Sequence, residues 1–176
     1  MSTVSILEAL QVFLTEKVAP AIQLQAADDG SVQRYKLVHP AVFIGWLPPK
    51  GYLPAGMVAA IPCLVVGMDE GSDDRSDSEL NIRISAVTFS PGLHIPAGEG
   101  VDFTPDFTGY HDLLNLIDRT VAELAKHQVV GNMVSIRDPI KWGIYEEFPY
   151  PYWYGWITCT VRRKPYPRVE AEKLLL

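Results

Sequence analysis

The sequence lacks most of the features that announce a chemistry. It has two cysteines, Cys63 and Cys159, in 176 residues. A secreted chain of this size more often carries several paired cysteines, so no disulfide framework is expected, and the two thiols read as buried groups in a reducing cytoplasm. No run approaches the ~18 uninterrupted apolar residues of a membrane-spanning helix, which excludes such a span. Met1–Lys17 carries Glu8 and Glu16 and lacks both a basic leader and a small-residue cleavage site. The expectation is therefore a soluble chain without a signal peptide. The four histidines, His39, His94, His111 and His127, make no His-x-x-Glu-His pattern, and there is no Cys-x-x-Cys. A glycine-rich phosphate loop and a Gly-x-Ser-x-Gly elbow are also missing. No nucleophile can be paired with a base, which argues against catalysis; the expectation is a non-enzyme with no catalytic or metal-binding residues. Basic charge is scarce too: 15 Lys and Arg against 21 Asp and Glu give a net charge of −6. That excludes the broad basic footprint of a nucleic-acid-binding domain.

What is present is a globular composition, 48% apolar and 20% charged. The length suits one domain with its own core, expected over residues 1–164 with a tail at 165–176. Val4, Leu7, Leu10, Leu14 and Val18, with Phe13 beside them, predict a helix over Thr3–Val18, capped by a Ser5–Glu8 box or by Ser2. Ala26–Ser31 reads as a turn. Val42–Leu47 has strand composition and is stopped by Pro48-Pro49, which marks an edge strand or extended arm. The unbroken apolar run Ile61–Met68 predicts a strand buried on both faces. Leu80, Ile82, Ile84 and Ala86 alternate with polar residues and predict a neighbouring antiparallel strand with one buried face. Ser90–Phe107 reads as a long loop. Tyr110, Leu113, Leu114, Ile117, Val121 and Leu124 form the stripe of a second helix over Gly109–His127. Strands follow at Met133–Arg137, Ile140–Glu146 and Trp153–Val161. Helices and strands are segregated, which predicts an α+β fold: a mainly antiparallel or mixed sheet with both helices on one face.

Two features stand out against this background. The first is the placement of the acidity. Asp69, Glu70, Asp73, Asp74, Asp77 and Glu79 lie within eleven residues, opposed there only by Arg75. Read as a calcium loop from Asp69, the segment fails at position 6, Asp74 in place of Gly, and at position 12, Leu80 in place of Glu. It reads instead as a solvated hairpin loop. Glu146-Glu147 reads as surface, since neighbours on a strand point to opposite faces. The second feature is aromatic: Phe148, Tyr150, Tyr152, Trp153, Tyr154 and Trp156 fall within nine positions. Trp153 and Trp156 have opposite strand parity, so one faces the core and the other does not. The outward set fits an oligomer interface, core with ordinary surface, or a sugar or nucleobase platform. Trp46, Tyr152, Tyr154 and Trp156 are the candidate interface residues.

Five segments, in this order and spacing over Val38–Val161, carry a likeness. They are Gly45-Trp46-Leu47-Pro48-Pro49-Lys50; Ile61-Pro62-Cys63-Leu64-Val65-Val66 leading into the acidic hairpin; Gly109-Tyr110-His111-Asp112-Leu113-Leu114-Asn115-Leu116-Ile117; Asp138-Pro139-Ile140-Lys141-Trp142; and Glu146-Glu147-Phe148-Pro149-Tyr150-Pro151-Tyr152-Trp153-Tyr154-Gly155. With them the chain resembles the tail terminator proteins of long-tailed bacteriophages and prophages. The resemblance implies a small α+β protomer that forms a ring, commonly a hexamer, on the head-proximal end of the tail tube. There it stops tube polymerisation and offers a surface to the head connector or neck protein. It implies a virion component assembled in the host cytoplasm, with no cofactor and no membrane, and with DNA passing through the lumen unread. A head-to-tail ring needs a heterologous interface, which strand edges and aromatics can supply. An acidic lumen would repel phosphates, so Asp69, Glu70, Asp73, Asp74, Asp77 and Glu79 are expected at the lumen or its rim. The alternatives are another neck or head–tail completion protein, a small hydrolase using His94 or Glu146, and a ligand-binding module built on the aromatic cluster.

Overall fold

A period of 3.6 in two segments and a period of 2 in most others sort the chain into helices and strands. The computed structural model describes residues 2–28, 31–49, 51–74, 76–97, 100–104, 108–131, 134–147 and 149–166. Arg75, Phe148 and most of the expected tail lie outside the described residues. Helix α1 spans Thr3–Lys17 and α2 spans Thr108–Lys126. The Ser2 hydroxyl caps α1 by accepting from the Ser5 amide at 3.1 Å. Ser5 itself sits inside the helix, so the Ser5–Glu8 box is not the cap. The buried stripe is Ile6, Leu10, Phe13 and Leu14. Val4, expected in it, is turned out to solvent. In α2 the buried stripe is Leu113, Leu116, Ile117, Thr120 and Leu124, with Val121 partly buried against the same core; Leu116 and Thr120 join the expected stripe, and Leu114 lies at its margin. The buried Thr120 hydroxyl donates to the Leu116 carbonyl at 2.8 Å, which makes a polar side chain tolerable there.

The strands are β1 (Leu24–Asp28), β2 (Ser31–Val38), β3 (Ala41–Ile44), β4 (Cys63–Asp73), β5 (Ser78–Phe89), β6 (Leu93–Ala97), β7 (Gly100–Thr104), β8 (Val129–Val130), β9 (Val134–Ile144) and β10 (Tyr152–Arg163). Six of them form the main sheet in the order β3-β4-β5-β10-β9-β8. The β3–β4 pair is parallel and the other pairings are antiparallel. Residues of both helices pack with Leu64, Val66, Ile82, Ile84, Ile157 and Val161 in one core. The fold is therefore α+β, a mainly antiparallel mixed sheet with two helices on one face.

Three expectations are corrected. β1 and β2 pair antiparallel, so Ala26–Asp28 and Ser31, expected in a turn, lie in strands, while Asp29 and Gly30 lie outside the described residues. The stretch 90–107 contains the β6–β7 hairpin and is not a plain loop. The two strands expected around Asp138-Pro139 are one strand, β9, whose ladder with β10 slips there, from Thr158↔Lys141 to Thr160↔Arg137. A proline lacks the amide that a continuous ladder requires, and the slip absorbs it without ending the strand.

A second, smaller core lies on the helix-free face at one end. Phe43, Cys63 and Val87 are buried there beneath Leu47, Leu53 and Met57. The first residues of β4 are consequently covered on both sides, as the run Ile61–Met68 predicts. Both thiols are buried, and burial pushes Cys63 up to about 12 and Cys159 up to about 11.

Candidate assembly surface

Strict alternation along β5 and β10 builds the helix-free face. The two strands pair along all 12 residues, from Tyr152↔Phe89 to Arg163↔Ser78. Leu80, Ile82, Ile84, Gly155, Ile157 and Cys159 therefore point to the helices. Glu79, Asn81, Arg83, Trp156, Thr158 and Thr160 point the other way. Trp153 and Trp156 do diverge. Trp153 packs on the helix-side core, against Tyr110 with ring centroids 6.0 Å apart, and lies so close to Gly109 that no side chain fits at that position.

At one end of the helix-free face the acidic run forms the β4–β5 hairpin. Its carboxylates are tied to arginines that the sequence places far away. Arg83 grips Asp69 with two donors, Nε at 2.9 Å and Nη2 at 2.7 Å. Arg162 Nε donates to Asp77 at 2.6 Å. Arg137 donates to Glu79 at 3.0 Å and to Asp77 at 3.4 Å. Asn81 links Glu70 to Thr160, donating to the first at 2.8 Å and accepting from the second at 3.0 Å. Asp74 turns inward on its own loop. It accepts from the Asp77 amide and from the amide and hydroxyl of Ser76, and these bonds hold its carboxyl below the usual range. Asp73 accepts from the Tyr166 amide at 2.9 Å. Asp69, Asp77 and Glu79 are thus ion-paired, which the local charge count did not reveal.

Trp156 occupies the middle of the face. The Arg83 guanidinium carbon lies 5.8 Å from its ring centroid. Its indole covers the bare backbone of Gly143 on β9: a Cβ there would meet Cζ2 at 2.7 Å. A concavity of about 510 Å³ opens beside it, bounded by Glu70, Asn81, Arg83, Lys141 and Thr158. Tyr154 belongs to the second core, packed with Phe43, Cys63 and Val87, and burial raises its phenol above the ordinary value. Tyr152 stacks at a tilt between Phe89, 5.7 Å away, and Tyr154, 6.5 Å away. The structure therefore brings Tyr152, Tyr154 and Trp156 together on one face of β10. Trp46 lies elsewhere, just beyond the end of β3, and is 67% exposed.

The sequence reading missed Trp142, which stands half-exposed on β9. It lies in the second half of β9, which no strand beyond β10 pairs among the described residues. Three of the histidines, His39, His94 and His127, lie within hydrogen-bond reach of backbone carbonyls. His39 Nδ1 lies 2.8 Å from the Ile22 carbonyl, and His94 Nε2 lies 2.6 Å from that of Pro91. Among the described residues no group of three or more His, Cys, Asp or Glu could hold a metal ion, and no helix is long and apolar enough to cross a membrane. Compared with models of known protein families and with curated proteins, the chain matches none.

Proposed function

We propose that the chain is a structural protein of a long-tailed phage particle, the tail terminator. In this reading copies assemble into a ring on the head-proximal end of the tail tube, stop its growth and carry the docking surface for the head connector. The observation that carries the reading is the unshared face of the main sheet. The helices cover one side, while the other presents Trp156, Tyr152 and the arginine-stitched hairpin, with no layer over its centre among the described residues. The segments that resemble the family support it by their placement. Gly45–Pro49 lies at the outer edge, Asp138–Trp142 at the opposite one, and the aromatic segment leads into the central strand β10. The acidic hairpin at the lumen or rim is part of the proposal, in a modified form. Arginines pair with Asp69, Asp77 and Glu79, so the charge met by passing DNA would be smaller than the carboxylate count of each copy.

Negative-stain images of particles assembled without the chain test the proposal. Overlong tail tubes are expected. Tails of normal length that fail to join heads would assign the chain to the neck. A second reading, a small-ligand binding module, rests on the concavity beside Trp156. A rise in melting temperature with a panel of sugars and nucleotides would favour it, since a ligand of the native state stabilises that state.

A further inference from the structure

The main sheet ends in two edges that no other strand covers among the described residues. One is β3. The Ala41 amide donates to Pro62 and the Gly45 amide to Val66, so Ala41, Phe43 and Gly45 face β4. The peptide groups of Val42 and Ile44 then point outward. The Val42 carbonyl confirms this, because the Gln11 side chain donates to it from outside the sheet at 2.9 Å. The other edge is the second half of β9. The two-residue β8 covers β9 only at Val134 and Ser135. Tyr145 donates to Tyr154 at 3.1 Å, so by alternation Trp142 and Ile144 also point their peptide groups outward.

We infer that these two edges are partners, the β3 edge of one copy receiving the β9 edge of the next. Three independent features agree. First, direction: the single parallel pair makes β3 and β9 run opposite ways, so copies that continue the same sheet pair them antiparallel. Second, parity: Val42 belongs to the helix-side core, Ile144 packs against that core, and Trp142 lies opposite the core residue Ile157. Residues with outward peptide groups thus carry their side chains on the same face at both edges, as a continuous sheet requires. Val42 with Ile144 and Ile44 with Trp142 then form two hydrogen-bonded pairs, with Phe43 beside Gly143 between them. Third, shape: a groove of about 830 Å³ flanks β3 at Val42, where Ile144 would lie, and one of about 620 Å³ flanks it at Ile44, where Trp142 would lie. Val12, Leu37 and Val58 in the first are 54%, 58% and 65% exposed, and Trp46 and Tyr52 in the second are 67% and 78% exposed, so both offer apolar walls to the incoming edge. The contact is head-to-tail and keeps every helix-free face on the same wall. Val42 can accept the new bond by releasing Gln11 or by using its second lone pair.

This inference rests on the ring reading and adds the surface that closes the ring. Its test uses Ile44→Cys and Trp142→Cys, made singly in the full chain, with both native thiols buried. A short bis-maleimide is expected to give a cross-linked dimer when the two variants are mixed, with or without tail tubes, and at least tenfold less with either variant alone. Trp142→Pro, which removes the indole and an outward amide but no hydrogen bond between β9 and β10, is expected to cut self-association at least tenfold with an unchanged circular dichroism spectrum. Trp142→Ala separates loss of the indole from loss of the amide. Self-association by light scattering without the cross-link would overturn the edge pairing and leave the ring intact. A cross-link only to a tail-tube subunit would give the edge to that partner and overturn self-pairing, as would a chain that stays monomeric with tubes present. A cross-link between copies whose loss leaves tails of normal length would keep the pairing and overturn the terminator reading.

Discussion

At the scale of single residues, the most constrained contact on the helix-free face is Trp156 against Gly143. Any side chain at 143 meets the indole at 2.7 Å or less. Gly143→Ala is expected to tilt the ring off β9 and cost about 1–3 kcal/mol, the usual range for overpacking. A denaturant melt followed by tryptophan emission measures both the loss and the shift in environment. Tyr154 is a poorer probe of assembly than its outward parity implies, because it helps close the second core. The cysteines give a pH prediction. An unfolded thiol ionises near 9, whereas the buried ones require about 12 at Cys63 and about 11 at Cys159. Between pH 9 and 11 the unfolded chain therefore releases protons that the folded chain keeps. Their contribution is nil below pH 9 and destabilising above it, up to ~1.4 kcal/mol per pH unit for each thiol. Melting temperatures are expected to fall from pH 9 upward, and less steeply in Cys63→Ala.

At the scale of elements, the β4–β5 hairpin is held by more than its own ladder. Asp77 joins Arg162 of β10 to Arg137 of β9, so three strands meet at one carboxylate that is 24% exposed. Asp77→Asn is expected to cost about 1 kcal/mol, less at high salt, since half-exposed ion pairs are individually weak and screened. Urea melts at low and high ionic strength check this. The elements that were legible from sequence are those with an uninterrupted period. The stripe of α2 and the alternation of Leu80–Ala86 each report a single buried face. The β1–β2 hairpin was not legible, because Gln25, Ala27 and the polar residues of β2 give little contrast between faces. The β6–β7 hairpin hid behind Gly92 and Pro96, residues that locally announce a loop. In β9, Pro139 read as a stop, and only a partner strand able to slip its register makes it a bulge. The arginine partners of the acidic run were not legible for a related reason. Arg137 and Arg162 reach Asp77 only once the order β5-β10-β9 is known.

At the scale of the whole molecule, a net charge of −6, with arginines of the helix-free face engaged by Asp69, Asp77 and Glu79, opposes attachment to a polyanion. Affinity for duplex DNA at physiological salt is expected to be weaker than ~10⁻⁴ M, the weak end of sequence-independent binding. A gel-shift titration that shows retention below that concentration would contradict it. The candidate site followed the same division as the fold. Parity alone located Tyr152, Tyr154 and Trp156 on one face, while the edge residues Trp142 and Val42 acquired meaning only from the strand order. The stitched hairpin also has a mechanical side. A pull on the Asp74–Asp77 turn along the strand axis loads the 12-residue ladder between β5 and β10 in shear, so its bonds resist together. Arg162 and Arg137 pass part of that load directly into β10 and β9. The tip is therefore stiff against being drawn out along the sheet and compliant only to being bent across it.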